Sequence, residues 1–249
     1  MDIKSIVKQL TDSKTQALRE GAIKEFLKTP SDTMPDFLFS AYKTIHVVLG
    51  QNTLEYQVMP DYLCLGSNDE YIHIPMSPIT CKEFMAANDF VLPTPKMVKQ
   101  IWDAAKIRPR VVSWGELYKN STKKFNRDST MCYVDHSKRV QELARQQNYS
   151  QADDLVAGHK KDVVLTNLLT LQKNKNNVAI YGWFNSDGTI VQGLNAVDHV
   201  VSYVDYSHGL RMIKNQCILN GKPTTLKQIW SDESLSLLVH DQPLKFQGY

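Results

Sequence analysis

The spacing of apolar residues changes along this chain, and that change constrains the fold more than any other feature. Ile3, Ile6, Val7 and Leu10, then Leu18, Ile23, Phe26 and Leu27, recur every three or four positions, the period of a helix with one buried face. Thr29, Pro30 and Ser31 end that pattern over residues 3–28. Between Ile45 and Pro75 the period drops to two. Leu54, Tyr56 and Val58 alternate with Glu55 and Gln57, as in a sheet with one buried face. Tyr62 to Leu65 and Tyr71 to Ile74 flank Gly66, Ser67, Asn68 and Asp69, the composition of a hairpin turn. Both periods in separate blocks predict an α+β protein: an N-terminal helix, a small antiparallel sheet with two helices, and a strand-rich C-terminal half.

The two helices follow from their start signals. Thr80 and Glu83 have the spacing of a capping box, and Thr94 before Pro95 supplies an N-cap and a proline at the first helical position. Met97, Val98, Ile101, Trp102 and Ala105 form one apolar face of the second. Residues 107–131 hold no sustained period and carry Pro109 and Gly115, so they read as a linker or crossing segment between 1–106 and 132–249. The two regions are free to merge into one domain. A helix is expected from about Asp135 to Gln147, with Val140, Leu143 and Ala144 inward. Five β-prone runs follow: Val163 to Leu165, Val178 to Trp183, Thr189 to Val191, Val200 to Val204 and Leu210 to Ile213. Asn185 to Gly188 and Asn220 with Gly221 mark turns, and Thr225 to Val239 reads as one or two short helices.

Composition excludes several classes. With 249 residues and 42% hydrophobic content the chain can bury a sizeable core. Twenty-nine basic and 26 acidic residues, well mixed, leave a net charge of +3 and no strong electrostatic drive toward nucleic acid. The basic run Lys119 to Arg127, with Phe125 inside it, reads as a solvated loop, and nucleic-acid binding through it ranks last. No stretch approaches the roughly 20 apolar residues of a membrane span. Met1 to Leu10 lacks the pattern of a signal peptide, so synthesis in the cytoplasm is expected, with association with a virion as the alternative final location. Cys64, Cys81, Cys132 and Cys217 are widely separated, without CxxC spacing, and are expected as reduced thiols.

Two segments gather polar chemistry. Gly158-His159-Lys160-Lys161-Asp162 places an imidazole, two ammonium groups and a carboxylate ahead of an apolar strand; Lys and protonated His attract anions, and Asp can fix a histidine tautomer. The plainer reading is an exposed polar turn in which Asp162 caps backbone amides. His199 to Arg211 holds His199, Tyr203, Asp205, Tyr206, Ser207, His208, Gly209 and Arg211 within thirteen positions. If Val200 to Val204 is a strand, these groups collect at its end, where loops carry function. Ser207 and His208 are adjacent and point apart in most backbones, so they do not by themselves form a nucleophile and base. No HExxH or helical His pair points to a metal; His159, Asp162, His199, Asp205 and His208 are the pool from which the fold could build a site.

The stretches LVAGHKKDVV (Leu155 to Val164), IYGWF with the later DG (Ile180 to Gly188), and HVVSYVDYSHGLRMI (His199 to Ile213) resemble a family of uncharacterised bacterial and phage proteins. That family carries AG-x-KKDVV, IYGWH-x-x-DG and HxxxYxDYSHGIRLV blocks in the same order. The resemblance extends upstream to MPDYLCLGSNDEYIHIPMSP and LPTPKMV, covers most of the chain and implies no particular activity. A more local run, Ser207, His208, Gly209, Leu210, Arg211 and Met212, is similar to the L,D-transpeptidase signature of an upstream His, Ser-His-Gly-Cys, an aliphatic residue and Arg. The nucleophilic cysteine is absent here, and transpeptidation requires a thiolate.

The expectation is a hydrolase acting on peptide or glycan material of the bacterial cell wall. His199, Asp205 and His208 would be its acid, base or metal-ligating groups, while Lys161, Asp162, Arg211, His159 and Ser207 would hold an anionic substrate or orient those groups. The competing expectation is a non-catalytic structural or interaction protein, such as a phage virion or assembly component, with a protein partner or a second copy of itself. The sequence names no cofactor. Whether the three catalytic candidates meet in an open cleft or lie buried against backbone groups separates the two expectations.

Overall fold

The helical and strand periods occupy the regions their residues predict, with boundaries moved by capping. The computed structural model describes residues 1–194, 197–246 and 248–249. The first amphipathic block is two helices, Ile3–Asp12 and Gln16–Phe26, because the Thr15 side chain accepts a hydrogen bond from the Leu18 N–H and starts a new helix. Ile3, Ile6 and Leu10, then Ile23 and Phe26, face the core.

The strands in chain order are β1 (Lys43–Leu49), β2 (Asn52–Val58), β3 (Cys64–Gly66), β4 (Tyr71–His73), β5 (Phe90–Val91), β6 (Lys161–Val163), β7 (Ile180–Phe184), β8 (Ile190–Gln192), β9 (His208–Gly209), β10 (Ile213–Leu219) and β11 (Lys222–Thr225). A five-stranded antiparallel sheet runs β1-β2-β10-β11, with β5 also paired to β10. The pairing of β2 with β10 joins the 1–106 and 132–249 regions in one sheet. Strands β3 and β4 form a hairpin, and a third sheet runs β8-β7-β6-β9. Its β6–β9 pair is parallel; the other pairs are antiparallel. Leu54, Tyr56 and Val58 are buried while Glu55 is exposed, as their alternation predicts. One hydrophobic cluster extends from Ile3 to Leu244.

Several sequence expectations are corrected. The helix Pro78–Ala87 is capped by Ser77, whose side chain accepts from the Thr80 N–H; Glu83 pairs instead with Lys24. The helix Pro95–Ala104 starts at Thr94 as expected. The helix expected from Asp135 begins at Thr130, because Ser129 caps it. Within 107–131 the chain forms a short helix, Trp114–Leu117, and buries Ile107, Val112 and Tyr118. Val200 to Val204 is not a strand. Val200 makes a single bridge to Asn177 and the Tyr203 N–H returns to the Val200 carbonyl in a turn, so tertiary pairing overrides β propensity there. The strand expected at Leu210 starts at Ile213, with Leu210 and Met212 carbonyls accepting from Leu63 and Met59. No described helix is long and apolar enough to cross a membrane.

Candidate functional site

Strand β6 sits between β7 and the short β9, in register Lys161↔His208 and Asp162↔Gly209. Both polar segments singled out in the sequence therefore meet side by side. Their side chains nevertheless go to different places. His159 and Asp162 join an inner network with Arg211, whereas Lys161 lies with Asp205, Ser207, His208 and His199 nearer the surface.

The inner network is centred on Asp61, just before Tyr62. Its Oδ1 is 3.0 Å from His159 Nε2 and its Oδ2 is 2.9 Å from His73 Nε2. Ser137, on the helix Thr130–Arg145, accepts from the His73 backbone N–H and from Gln141 Nε2. Its hydroxyl hydrogen is thus free to point at His73 Nδ1, 2.9 Å away, which leaves the ring proton on Nε2, donated to Asp61. Burial opposes the Asp61 charge, but the two imidazoles outweigh it and hold the carboxyl well below its usual range. Beside this group, Tyr62 Oη donates to Asp162 Oδ2 at 2.7 Å. The Arg211 guanidinium lies 4.1 Å from the Tyr62 ring and donates to the carbonyls of Met59 (3.0 Å) and Val156 (2.6 Å). Lys160 is buried, its ammonium donating to the Tyr206 carbonyl at 2.5 Å and to His136 Nδ1 at 3.3 Å. Burial pushes its pKa down to about 8, against the pull of Asp205 and other acidic groups.

The outer cluster is local to one turn. Asp205 Oδ1 accepts from the Ser207 N–H (2.8 Å) and hydroxyl (2.6 Å), and its Oδ2 accepts from Tyr203 Oη at 3.3 Å. The Ser207 hydroxyl is committed to Asp205 and is not a nucleophile held by His208. The exposed His199 ring stacks on Tyr203, with centroids 4.3 Å apart, and these rings lie 6.2 and 5.7 Å from that of His208. His208 itself is 1% exposed, and its Nε2 has no hydrogen-bond partner among the described residues. Burial pushes this imidazole down to about 4, against the attraction of Asp205. It is therefore a neutral base near pH 7.

Strand β7 completes the rim under strain. Gly182 and Trp183 both have positive φ, +99° and +59°; the second is rare for a bulky residue and costs about 1–3 kcal/mol. The Lys161 ammonium lies 5.0 Å from the Trp183 ring, whose buried Nε1–H has no partner among the described residues.

Burial sets opposite pH dependences on the two networks. His208 has a folded pKa of about 4, below the roughly 6.5 of an unfolded histidine, so the stability it contributes is present above about 6.5 and is lost as the pH falls toward about 4. Asp162 is raised to about 7, chiefly by burial against Arg211 and the Tyr62 hydrogen bond. Its contribution is present below the unfolded value of about 3.9 and is lost as the pH rises through about 7. Between pH 4 and 6.5 the two slopes oppose each other. Asp162→Asn is expected to uncover the first, making stability fall on acidification more steeply than in the parent by about 1.4 kcal/mol per pH unit. Denaturant titrations at pH 4.5, 5.5 and 6.5 measure this, and parallel curves for parent and variant would rule it out.

Sequence reasoning named Asp205, Ser207, His208, His199 and Lys161, which the fold brings together. It missed Asp61, His73, His136 and Ser137, which come from separate segments, and named Lys160 in its polar run without giving it a role. Only His159 of the Asp61 group lay in the pool named for a metal site, and Asp61, His73 and His159 are the described His, Cys, Asp or Glu residues placed to share an ion. Comparison with known proteins finds no matching family model, no matching curated protein and no matching solved structure.

Proposed function

We propose that this chain is a hydrolase in which His208 is the acid–base group, acting on peptide or glycan material of the bacterial cell wall. One observation carries the reading: a buried, neutral imidazole whose Nε2 has no partner among the described residues, beside the Asp205 carboxylate and near the His199–Tyr203 stack. Such a nitrogen can take the proton of an attacking water and return it to the leaving group, with Asp205 stabilising the imidazolium between the two steps. Lys161 and the Trp183 N–H, unpaired among the described residues, supply charge and a donor for an anionic substrate group or a developing oxyanion. The strained backbone at Trp183 supports this placement, because strain persists where the surroundings hold it for a purpose.

A specific observation favours a second reading, a non-catalytic buried network. Asp205 and His208 are 5% and 1% exposed, and the Asp205 oxygens are already satisfied by Ser207 and Tyr203. The decisive experiment is release of soluble fragments from purified peptidoglycan by the parent chain and by His208→Gln, each checked for folding. The hydrolase reading expects release by the parent and a loss of roughly 10²–10⁴-fold in a folded variant. No release by the parent, or equal release by both, would reject it in favour of the structural reading.

A further inference from the structure

The structure assigns a divalent-metal site to Asp61, His73 and His159, independent of the hydrolase reading. The three ligating atoms lie within 4.8 Å of one another and all three residues are buried. The two Asp61 oxygens each face one imidazole Nε2, at 2.9 and 3.0 Å, so one carboxylate and two imidazoles form a three-residue donor set. Two imidazoles with one carboxylate suit zinc and its first-row neighbours better than calcium or magnesium, which take mainly oxygen. A tetrahedral zinc with ligands at about 2.0–2.2 Å places donor atoms of different residues roughly 3.4 Å apart, so the carboxylate–imidazole pairs, at 2.9 and 3.0 Å, would open slightly to admit the ion.

Charge points the same way. The hydrogen-bond pattern around Ser137 makes His73 neutral. The nearby Lys160 ammonium is turned to Tyr206 and His136 instead of Asp61. No Lys or Arg among the described residues bonds the buried carboxylate, so an ion seated between it and the two imidazoles would add the positive charge that its site lacks. Ser137 at His73 Nδ1 is the outer partner that metal-binding histidines use to fix their orientation. Metal binding would put the His73 ring proton on Nδ1, where Ser137 Oγ would accept it in place of the Gln141 Nε2 donor, which keeps its bond to the Tyr71 carbonyl, and would free His73 Nε2 for the ion.

The full-length chain, purified without a histidine tag, is tested by elemental analysis. Chelator-treated protein is then titrated with Zn²⁺, and with Co²⁺ followed by its visible absorption. The expected result is about one zinc-type ion per chain, tetrahedral Co²⁺ bands, and an unfolding midpoint that rises with ion concentration. Asp61→Asn and His73→Gln should abolish binding. Because those variants risk misfolding, Ser137→Ala provides a milder test and should weaken affinity about 10–100-fold. No metal after purification, together with no Co²⁺ bands and no Zn²⁺-dependent midpoint in the parent, overturns the site. So does unchanged affinity in folded Asp61→Asn or His73→Gln.

Discussion

Arg211→Met is expected to destabilise the fold by about 3–5 kcal/mol, a fall in melting temperature of roughly 6–20 °C for a chain of this size. The guanidinium is 1% exposed and does three jobs at once. It satisfies the Met59 and Val156 carbonyls, covers the Tyr62 ring, and attracts the Asp162 carboxyl. Those carbonyls lie just after β2 and in the segment ahead of β6, so Arg211 ties together stretches of chain that are far apart in sequence. A methionine of similar length fills the space but leaves two buried acceptors without that donor and removes the cation beside a buried carboxyl. Arg211→Lys should recover only part of the loss, because one ammonium cannot match the planar fork that reaches both carbonyls. Combining Arg211→Met with Asp162→Asn should also recover part, since no ionisable acid is then left without its cation. Urea denaturation of the four proteins checks this. A single Arg211→Met variant within 1 kcal/mol of the parent would mean the guanidinium is not the tie described.

Gly209→Ala should cost about 3 kcal/mol through space alone. A Cβ at this position would lie 2.6 Å from Tyr62 Cδ1 and 2.7 and 3.0 Å from Lys160 Cβ and Cγ. Tyr62 and Lys160 are each 1% exposed and held by hydrogen bonds at their tips, so neither side chain has room to give way. The clash falls where β9 pairs with β6, and it should therefore disturb the inner network and the His208 turn together. Gly21→Ala is the control. It lies in the helix Gln16–Phe26 with nothing within 4 Å of an added Cβ, and it should stabilise by about 0.5–1 kcal/mol. Thermal and denaturant unfolding of both variants measure the contrast, and equal stabilities would contradict it.

Local patterns were legible wherever a residue's role depends on its chain neighbours. The alternation at Leu54, Tyr56 and Val58, the Thr94-Pro95 helix start, and the turns at Gly66 to Asp69 and Asn220-Gly221 all appear where the residues predict them. Boundaries failed where a cap lay outside the apolar pattern, as with Ser129 and Ser77. The outer cluster could be read because Tyr203, Asp205, Ser207 and His208 are neighbours in the chain, and Asp205 bonds within its own turn.

The Asp61 network was not legible because its members are scattered. Asp61 follows β2, His73 ends β4, Ser137 sits mid-helix and His159 precedes β6; their pairing depends on how the sheets pack. The sequence by itself determined the α+β class, most elements and the local turn that holds Asp205 against Ser207. Tertiary structure alone decided that adjacent His159, Lys160, Lys161 and Asp162 part to four different partners, and that Arg211 serves backbone carbonyls. The physical reason is that a buried polar group must find a partner, and within a folded interior the nearest partner is set by packing instead of by position along the chain.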